Sequence, residues 1–396
     1  MNRLREWLGL ERNIVVMLAA VMILGMGEEL WQRFIPKYLQ FLGASAWAIA
    51  LYGTLKDLLD AVYQYPGGWL ADRLGRRLAL VLFTLLAIVG YVIYLLSPSW
   101  QTILVGTVFV MAWSSLTLPA IFAIIGDNLP SERRAIGFGV QSILKRIPII
   151  AAPPIGGWLI AQGGLANGTK TGLIITIALA FLGLWIVQRG YRETVRTTSD
   201  GESFGSIWRR MDANLKRLLL ADCLARWAEG IPKVFIVLYV IDGLGMSSLQ
   251  FGWLTSVQML TATVIYIPIA KLADRLNRQP FVMLTFAFFT LFPATLALAQ
   301  NLVWVTLAFI VAGLREVGEP ARKAMIVDSA DPGARGRAVG IYYLIRGLAV
   351  FPASLVGGWL WRMNMQLPFY AAAGIGCIGL LVYALTSKTA DGKRQT

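Results

Sequence analysis

Long apolar runs separated by short polar connections occupy the chain from residue 13 to residue 386. Twelve of them reach at least about 20 residues, the length at which a helix rising ~1.5 Å per residue crosses ~30 Å of hydrocarbon. They fall at 13–40, 45–70, 78–97, 100–126, 137–162, 171–190, 215–241, 248–271, 280–299, 302–327, 338–361 and 367–386. Lipid offers the backbone no hydrogen-bond partners, so each run must satisfy its amides internally as helix. The pattern therefore predicts an all-α integral membrane protein with twelve transmembrane helices.

The polar positions repeat. Asp72 and Pro66 meet Asp274 and Pro268 at a shift of 202 residues, while Asp127 meets Asp328, Gly139 meets Gly340, and Gly156-Gly157-Trp158 meets Gly357-Gly358-Trp359 at 201. Such a shift is the mark of parallel repeats related by an axis along the membrane normal. It predicts two pseudo-symmetric six-helix bundles, residues 1–190 and 215–396, joined by a polar cytoplasmic linker at 191–214 in which residues 207–211 suit an amphipathic surface helix.

Composition agrees with this reading: 57% hydrophobic and 15% charged residues, with a mean hydropathy of +0.63, exclude a soluble enzyme. The net charge of +14 would suit a nucleic-acid partner if it were clustered, but Arg and Lys alternate from loop to loop. They crowd the N-terminus, the loops near Arg76, Arg133, Arg209, Arg275 and Arg335, and the tail, and are nearly absent from the intervening loops, where Lys37, Lys170 and Arg362 are the exceptions. The positive-inside rule then puts both termini in the cytoplasm of a multi-pass cytoplasmic (inner) membrane protein and removes the argument for nucleic acid. The first span is too long, and too charged at its far end, for a cleaved signal. Cys223 and Cys377 fall inside predicted helices, there is no histidine, and no metal-ligand cluster, nucleophile–base arrangement or nucleotide-binding loop stands out, so no metal, cofactor or catalytic residue is expected.

The most specific string is GWLADRLGRR at 68–77, echoed as AKLADRLNRQ at 270–279. The first copy resembles the cytoplasmic loop motif of the major facilitator superfamily, a glycine, three residues, Asp, Arg, one residue, Gly and two basic residues, and the resemblance extends over essentially the whole chain. It implies two six-helix bundles with a central cavity open alternately to each side. It further implies that Gly68 permits close helix contact and that Asp72 meets the positive N-terminal end of the eleventh helix, near Arg337 to Gly340, when the cytoplasmic side is closed. A carboxylate at such an end is worth about 0.3–1 kcal/mol when exposed and up to ~2 when partly buried. Arg73, Gly75, Arg76 and Arg77, with Asp274, Glu319 and Arg322, complete the expected gate, although Arg76 and Arg77 equally suit a topological role. Two departures concern direction. The fourth span, Val105 to Gly126, lacks the arginine usual in proton-driven drug exporters of the superfamily, and the antiporter signature of the fifth span survives only in part, as Ala152-Pro153-Pro154-Ile155-Gly156-Gly157. Export is leaned towards, but helix packing alone would also explain the glycine pair.

Charges inside the membrane cost about 2.5–3.5 kcal/mol each unless they face water or a partner, and this chain carries many. Asp222, Arg226, Glu229 and Lys233 align on one face of the seventh span with alternating signs. Lys145 and Arg146 on the fifth span and Arg346 on the eleventh fall near mid-membrane, and Lys145 and Arg346 are repeat equivalents. With Arg226 and Arg315 they are the candidate contacts for an anionic solute group, the competing reading being structural pairing with Asp57 or Asp60. Glu28 and Glu229, also repeat equivalents, are with Glu29, Asp57 and Asp60 the candidates for proton coupling, because without histidine that task falls to carboxylates, whose charge responds to burial and to nearby cations.

The leading expectation is a proton-coupled secondary transporter, a monomer in the lipid bilayer with protons and a small anionic or zwitterionic molecule as partners. A broad exporter of amphipathic drugs, its cavity lined by the 11% of aromatic residues, stands second. A receptor or assembly partner without turnover stands third, against the complete gate motif.

Overall fold

Helix accounts for nearly all the described residues, and no strand occurs among them, as a backbone deprived of water requires. The computed structural model describes residues 12–117, 121, 124, 131–192, 213–276, 278–328 and 335–391, without side chains at 64–65, 72, 131–140, 213–214, 267, 270–271, 273–275, 324, 327–328, 335–339 and 386–391. In the first half α1 (Arg12–Glu29) passes through a 3-10 turn into α2 (Ile35–Phe41), followed by α3 (Ala46–Leu74), α4 (Arg76–Leu95), α5 (Trp100–Met111, prolonged by a π turn Ala112–Leu116) and α6 (Ser131–Gly190). The second half contains α7 (Ala213–Gly230), α8 (Ile236–Leu238, prolonged by a π turn Tyr239–Gly243), α9 (Ser248–Arg275), α10 (Gln279–Leu298), α11 (Leu302–Leu314), α12 (Glu319–Asp328), α13 (Arg335–Val350), α14 (Ala353–Met363) and α15 (Leu367–Asp391).

Six stretches among the described residues are long and apolar enough to cross a membrane: Arg12–Phe41, Arg76–Leu95, Gln141–Gly190, Gln279–Leu298, Gly340–Met363 and Leu367–Leu385. Trp100–Leu116 is a shorter apolar helix. Four of the expected spans are interrupted near their middles, at 30–34, 231–235, 315–318 and 351–352. Proline accounts for the places: Pro36 sits in the first turn of α2, Pro232 lies between α7 and α8, Pro320 is the second residue of α12, and Pro352 caps α14. Without an N–H, proline cannot continue a helix but suits the first turn of a new one. Two expected spans conversely fuse in α6, where Gly164, at φ 74°, marks the break between them.

The chain divides into two units, one of Met1–Ala48, Leu58–Ser199 and Ser247–Ser256, the other of Ile49–Asp57, Asp200–Met246 and Val257–Thr396. In the first unit α1 packs along α6, and α4 against α5 and α6; in the second, α15 packs against α7 and α10, and α10 against α11. The duplicated glycine pair has a packing explanation in each. A Cβ on Gly156 would lie 1.8 Å from the carbonyl oxygen of Leu30, and one on Gly357 would lie 2.0 Å from that of Ile231. Gly156 and Gly357, like Leu30 and Ile231, are 201 residues apart, so the same backbone-on-backbone contact is made twice. The first unit also ties its ends together: Asn13 donates from Nδ2 to the Arg192 carbonyl and accepts at Oδ1 from the Arg192 amide, both at 2.9 Å.

Candidate functional site

In the first unit a cavity of about 300 Å³ opens among α1, α5 with its π turn, and α6. Its charged and polar lining comprises Glu28, Glu29, Gln32, Ser114, Gln141 and Lys145, with Val21, Gly25, Trp113, Ile121 and Pro148 among the remainder. Glu28 is buried and accepts a 2.6 Å hydrogen bond from the Tyr91 hydroxyl on α4. Tyr91 is itself fixed edge-on to Trp31, whose indole N–H donates to Thr176 Oγ1 at 2.9 Å. Glu29 is engaged by Arg33 at 2.8 Å, one turn on. Lys145 is exposed and has no hydrogen-bond or ion-pair partner among the described residues. A phenol-held carboxylate and an ammonium thus line one small cavity, with amides between them in the sequence of polar groups.

The second unit contains a network of guanidinium and carboxylate groups. Arg226 on α7 reaches Glu229 Oε2 at 2.8 Å and Asp222 Oδ1 at 3.8 Å, and pairs closely with Glu319 on α12. Arg322, one turn beyond Glu319, pairs with it at 2.7 Å and closely with Asp222 Oδ2. The same oxygen accepts from the Tyr342 hydroxyl at 3.0 Å and from Arg346 at 3.4 Å, both on α13. Arg315 meets Glu229 at 3.5 Å and lies over the rings of Phe289 and Phe292, 5.2 and 4.9 Å from their centroids. Asp222 is completely buried, and Arg322 and Glu319 nearly so. Each of these buried charges faces one of opposite sign, which offsets much of the cost of leaving water.

The expected candidates thus separate. Arg226, Arg315, Arg346 and Glu229 come together in the second unit, and with them Glu319 and Arg322, which are expected at the gate. Lys145, Glu28 and Glu29 line the first unit's cavity; Arg146 is not among its lining residues. Asp60 accepts from Ser115 at 2.8 Å, and Asp57 pairs with Lys233 at 2.6 Å. The internal pairing expected along the seventh span holds for Asp222, Arg226 and Glu229, but α7 ends at Gly230 and Lys233 turns to Asp57 instead.

Around the loop motif, Gly75 makes the joint between α3 and α4 at φ 91°, a conformation that favours glycine. Arg73 stacks over Trp69 at 4.3 Å, Arg76 is buried, and Arg77 donates to the Gln188 carbonyl on α6. A close helix approach occurs at Gly67, where a Cβ would lie 2.4 Å from the Leu116 carbonyl oxygen, next to the Gly68 that the resemblance singles out. The side chains of Asp72, Asp274 and Arg337 lie outside the described residues, as does the expected surface helix at 207–211.

The shift of 201 residues brings the cavity and the network into register. Val21, Gly25, Glu28, Gln32, Ser114, Ile121, Gln141 and Lys145 line the cavity; their equivalents are Asp222, Arg226, Glu229, Lys233, Arg315, Arg322, Tyr342 and Arg346. Where the first unit has a hollow walled by Glu28, Glu29, Lys145 and uncharged groups, the second has ion pairs. Asp222, Tyr342 and Tyr91 were not among the expected site residues. The signal for Tyr342 and Arg346 was their spacing of four on one helix face, and for Asp222 its position at the head of the charged stripe.

A family model for the Major Facilitator Superfamily matches the chain over residues 16–222 and again over 218–396. An uncharacterised MFS-type transporter of Methanocaldococcus jannaschii is 20% identical over 381 residues, covering 94% of each chain. Multidrug resistance protein MdtH of Salmonella typhi is 22% identical over 358 residues, 87% of this chain and 86% of that one. A crystal structure of a POT family transporter in complex with 5-aminolevulinic acid superposes with a TM-score of 0.79 over 95% of each chain, at 14% identity, a likeness of fold.

Proposed function

Because the chain belongs to the major facilitator superfamily, a family of membrane transporters, we propose that it is a proton-coupled secondary transporter moving a small zwitterionic or anionic organic solute by alternating access. Twelve spans in two six-helix halves, 1–190 and 215–396, a cytoplasmic linker at 191–214, cytoplasmic termini and a monomer in the inner membrane belong to the same reading, as does a gate of Gly68, Asp72, Arg73, Gly75, Arg76, Arg77 and Asp274.

The observation that carries the proposal is the first unit's cavity, with Glu28 and Lys145 in one lining. Its volume of about 300 Å³ lies at the lower end of small-molecule sites and suits a solute of amino-acid size. Lys145 offers three donors to a carboxylate or phosphonate, and Glu28 offers an acceptor to an ammonium group. Glu28 is also the favoured proton carrier, being a carboxylate in the wall of the cavity, whereas Glu229 is engaged by two arginines, so its charge is balanced within the protein. A solute ammonium and a proton would compete for Glu28, which is a direct route to exchange. The POT transporter solved with 5-aminolevulinic acid supports a solute of this class.

The test is flux in proteoliposomes under an imposed pH gradient, comparing 5-aminolevulinic acid and dipeptides with cationic dyes, in the unaltered protein, Glu28→Gln and Lys145→Gln. Gradient-driven flux of a zwitterion that both variants abolish is the expected result, and its polarity decides between import and export. Dye efflux indifferent to Lys145→Gln would sink the proposal in favour of the second reading, an exporter of amphipathic drugs, which the multidrug resistance relatives favour.

A further inference from the structure

Asp222 occupies, in the second unit, the place that Val21 holds in the wall of the first unit's cavity, and Arg346 the place of Lys145. The lysine has no anionic partner among the described residues; the arginine has Asp222. From this we infer that Asp222 is a built-in stand-in for a carboxylate ligand, and that Arg346 is a releasable arm which leaves Asp222 to bind a solute carboxylate within the second unit, separately from the group that Lys145 would hold. The inference rests on the reading of the protein as a carrier of anionic or zwitterionic solutes, and it assigns Asp222 a role as a positioning residue.

Charge balance is the first support. Asp222, Glu229 and Glu319 face Arg226, Arg315, Arg322 and Arg346, three negative groups against four positive. Among the described residues, adding the neighbours Asp57 with Lys233, Glu316 beside Arg315 and Lys323 beside Glu319 gives five against six. A surplus of one positive charge fits one monoanionic group.

The second support is how loosely Arg346 is held. Its contact with Asp222 Oδ2 is 3.4 Å, at the limit of a hydrogen bond, on an oxygen that already accepts from Arg322 and Tyr342. Three donors crowd that oxygen, while Asp222 Oδ1, Arg226 Nε and Arg322 Nε make no hydrogen bond among the described residues. Oδ1 and Arg226 Nε stand 3.8 Å apart, so a small rotation of the carboxylate closes that gap once Arg346 has gone. Asp222 then keeps Arg322 and Tyr342, gains Arg226, and is never left bare. Arg346 keeps Tyr343 beneath it, 4.5 Å from the ring centroid, and its side chain retains 21% of its exposure. It and Arg226, which retains 20%, are far more accessible than Arg322, at 2%. Since the group it gives up is a carboxylate, a planar carboxylate is the chemistry it is shaped to accept in exchange.

The experiment is thermal unfolding of the full-length protein in neutral detergent, titrated with benzoate, phenylphosphonate and benzylammonium at constant ionic strength. A Lys145→Gln background keeps the first unit's lysine from contributing. Ligand binding to the folded state raises the transition temperature, and the stabilisation grows with the logarithm of one plus the ratio of free ligand to Kd. Benzoate is expected to stabilise this background, phenylphosphonate less so and benzylammonium not at all. Arg346→Gln should remove the shift, Arg346→Lys should weaken it several-fold, and the distant Arg362→Gln should leave it intact. Asp222→Asn, which removes the competing carboxylate charge, should lower the half-saturating benzoate concentration by about tenfold. Should that buried variant not fold, the Arg346 pair decides alone. Undiminished benzoate stabilisation in Arg346→Gln, none in the background, or a folded Asp222→Asn that binds no tighter would each overturn the inference. Because Lys145 is absent throughout, these outcomes are separate from failure of the flux experiment, which turns on Glu28 and Lys145.

Discussion

The two halves of the molecule set the same helix positions to opposite uses. In the first, Val21, Gly25, Ser114 and Ile121 leave a cavity; in the second, their equivalents Asp222, Arg226, Arg315 and Arg322 fill the corresponding place with charge. Even Tyr91, which holds Glu28 by a hydrogen bond, becomes Phe292, which offers Arg315 its ring face. The comparison separates two ways of keeping an ionisable group in a membrane. A carboxylate that accepts from a neutral donor does not leave that donor with an unbalanced charge when it takes up a proton. One held by two arginines does, since breaking a buried ion pair leaves an uncompensated charge. A duplicated frame can therefore place proton chemistry in one half and a paired, charge-balanced network in the other.

The strongest way to break the comparison is to give the second unit the first unit's residues. Arg322→Ile alone takes from Asp222 and Glu319 a buried partner they share and should destabilise the protein by about 3–5 kcal/mol, read as a fall in the unfolding transition in detergent. Adding Asp222→Val should recover part of the loss, because the double variant removes a buried charge along with its partner; a fully additive pair would mean the two side chains act independently. The contact that both halves share tests the frame itself. Gly156→Ala and Gly357→Ala each push a methyl against a carbonyl oxygen and should cost about 1–3 kcal/mol apiece by overpacking, with similar shifts in either half. The smallest expected effect belongs to Tyr91→Phe, which removes one hydrogen bond from Glu28 and should change gradient-driven flux about five-fold, or ~1 kcal/mol, with little change in unfolding temperature.

The helical architecture was legible in hydropathy, and the repeat in a handful of residues. Asp72 with Asp274 and the two GGW strings sufficed to align the halves, because glycine, proline and charge are scarce inside apolar runs. The interruptions of the spans were less legible. Pro36, Pro232, Pro320 and Pro352 all stood in the sequence, yet proline kinks some membrane helices and starts others, and the choice depends on what receives the freed carbonyls. The partners were hardest to read. Spacing put Asp222, Arg226 and Glu229 on one face, but with charges of both signs on several helices many pairings were open. Only packing sent Arg346 to Asp222 rather than to Asp57 or Asp60 and sent Lys233 off its own helix. The cavity depended on Val21 and Ile121, residues with no chemistry to advertise.

The two hydrogen bonds between Asn13 and Arg192 bring the entrance and the exit of the first unit to one spot. Bonded to each other in this way, the two ends do not depend on the peptide bond that follows residue 192 to stay together. Two separately synthesised fragments, divided after that residue, should therefore reassemble in one membrane into a working transporter.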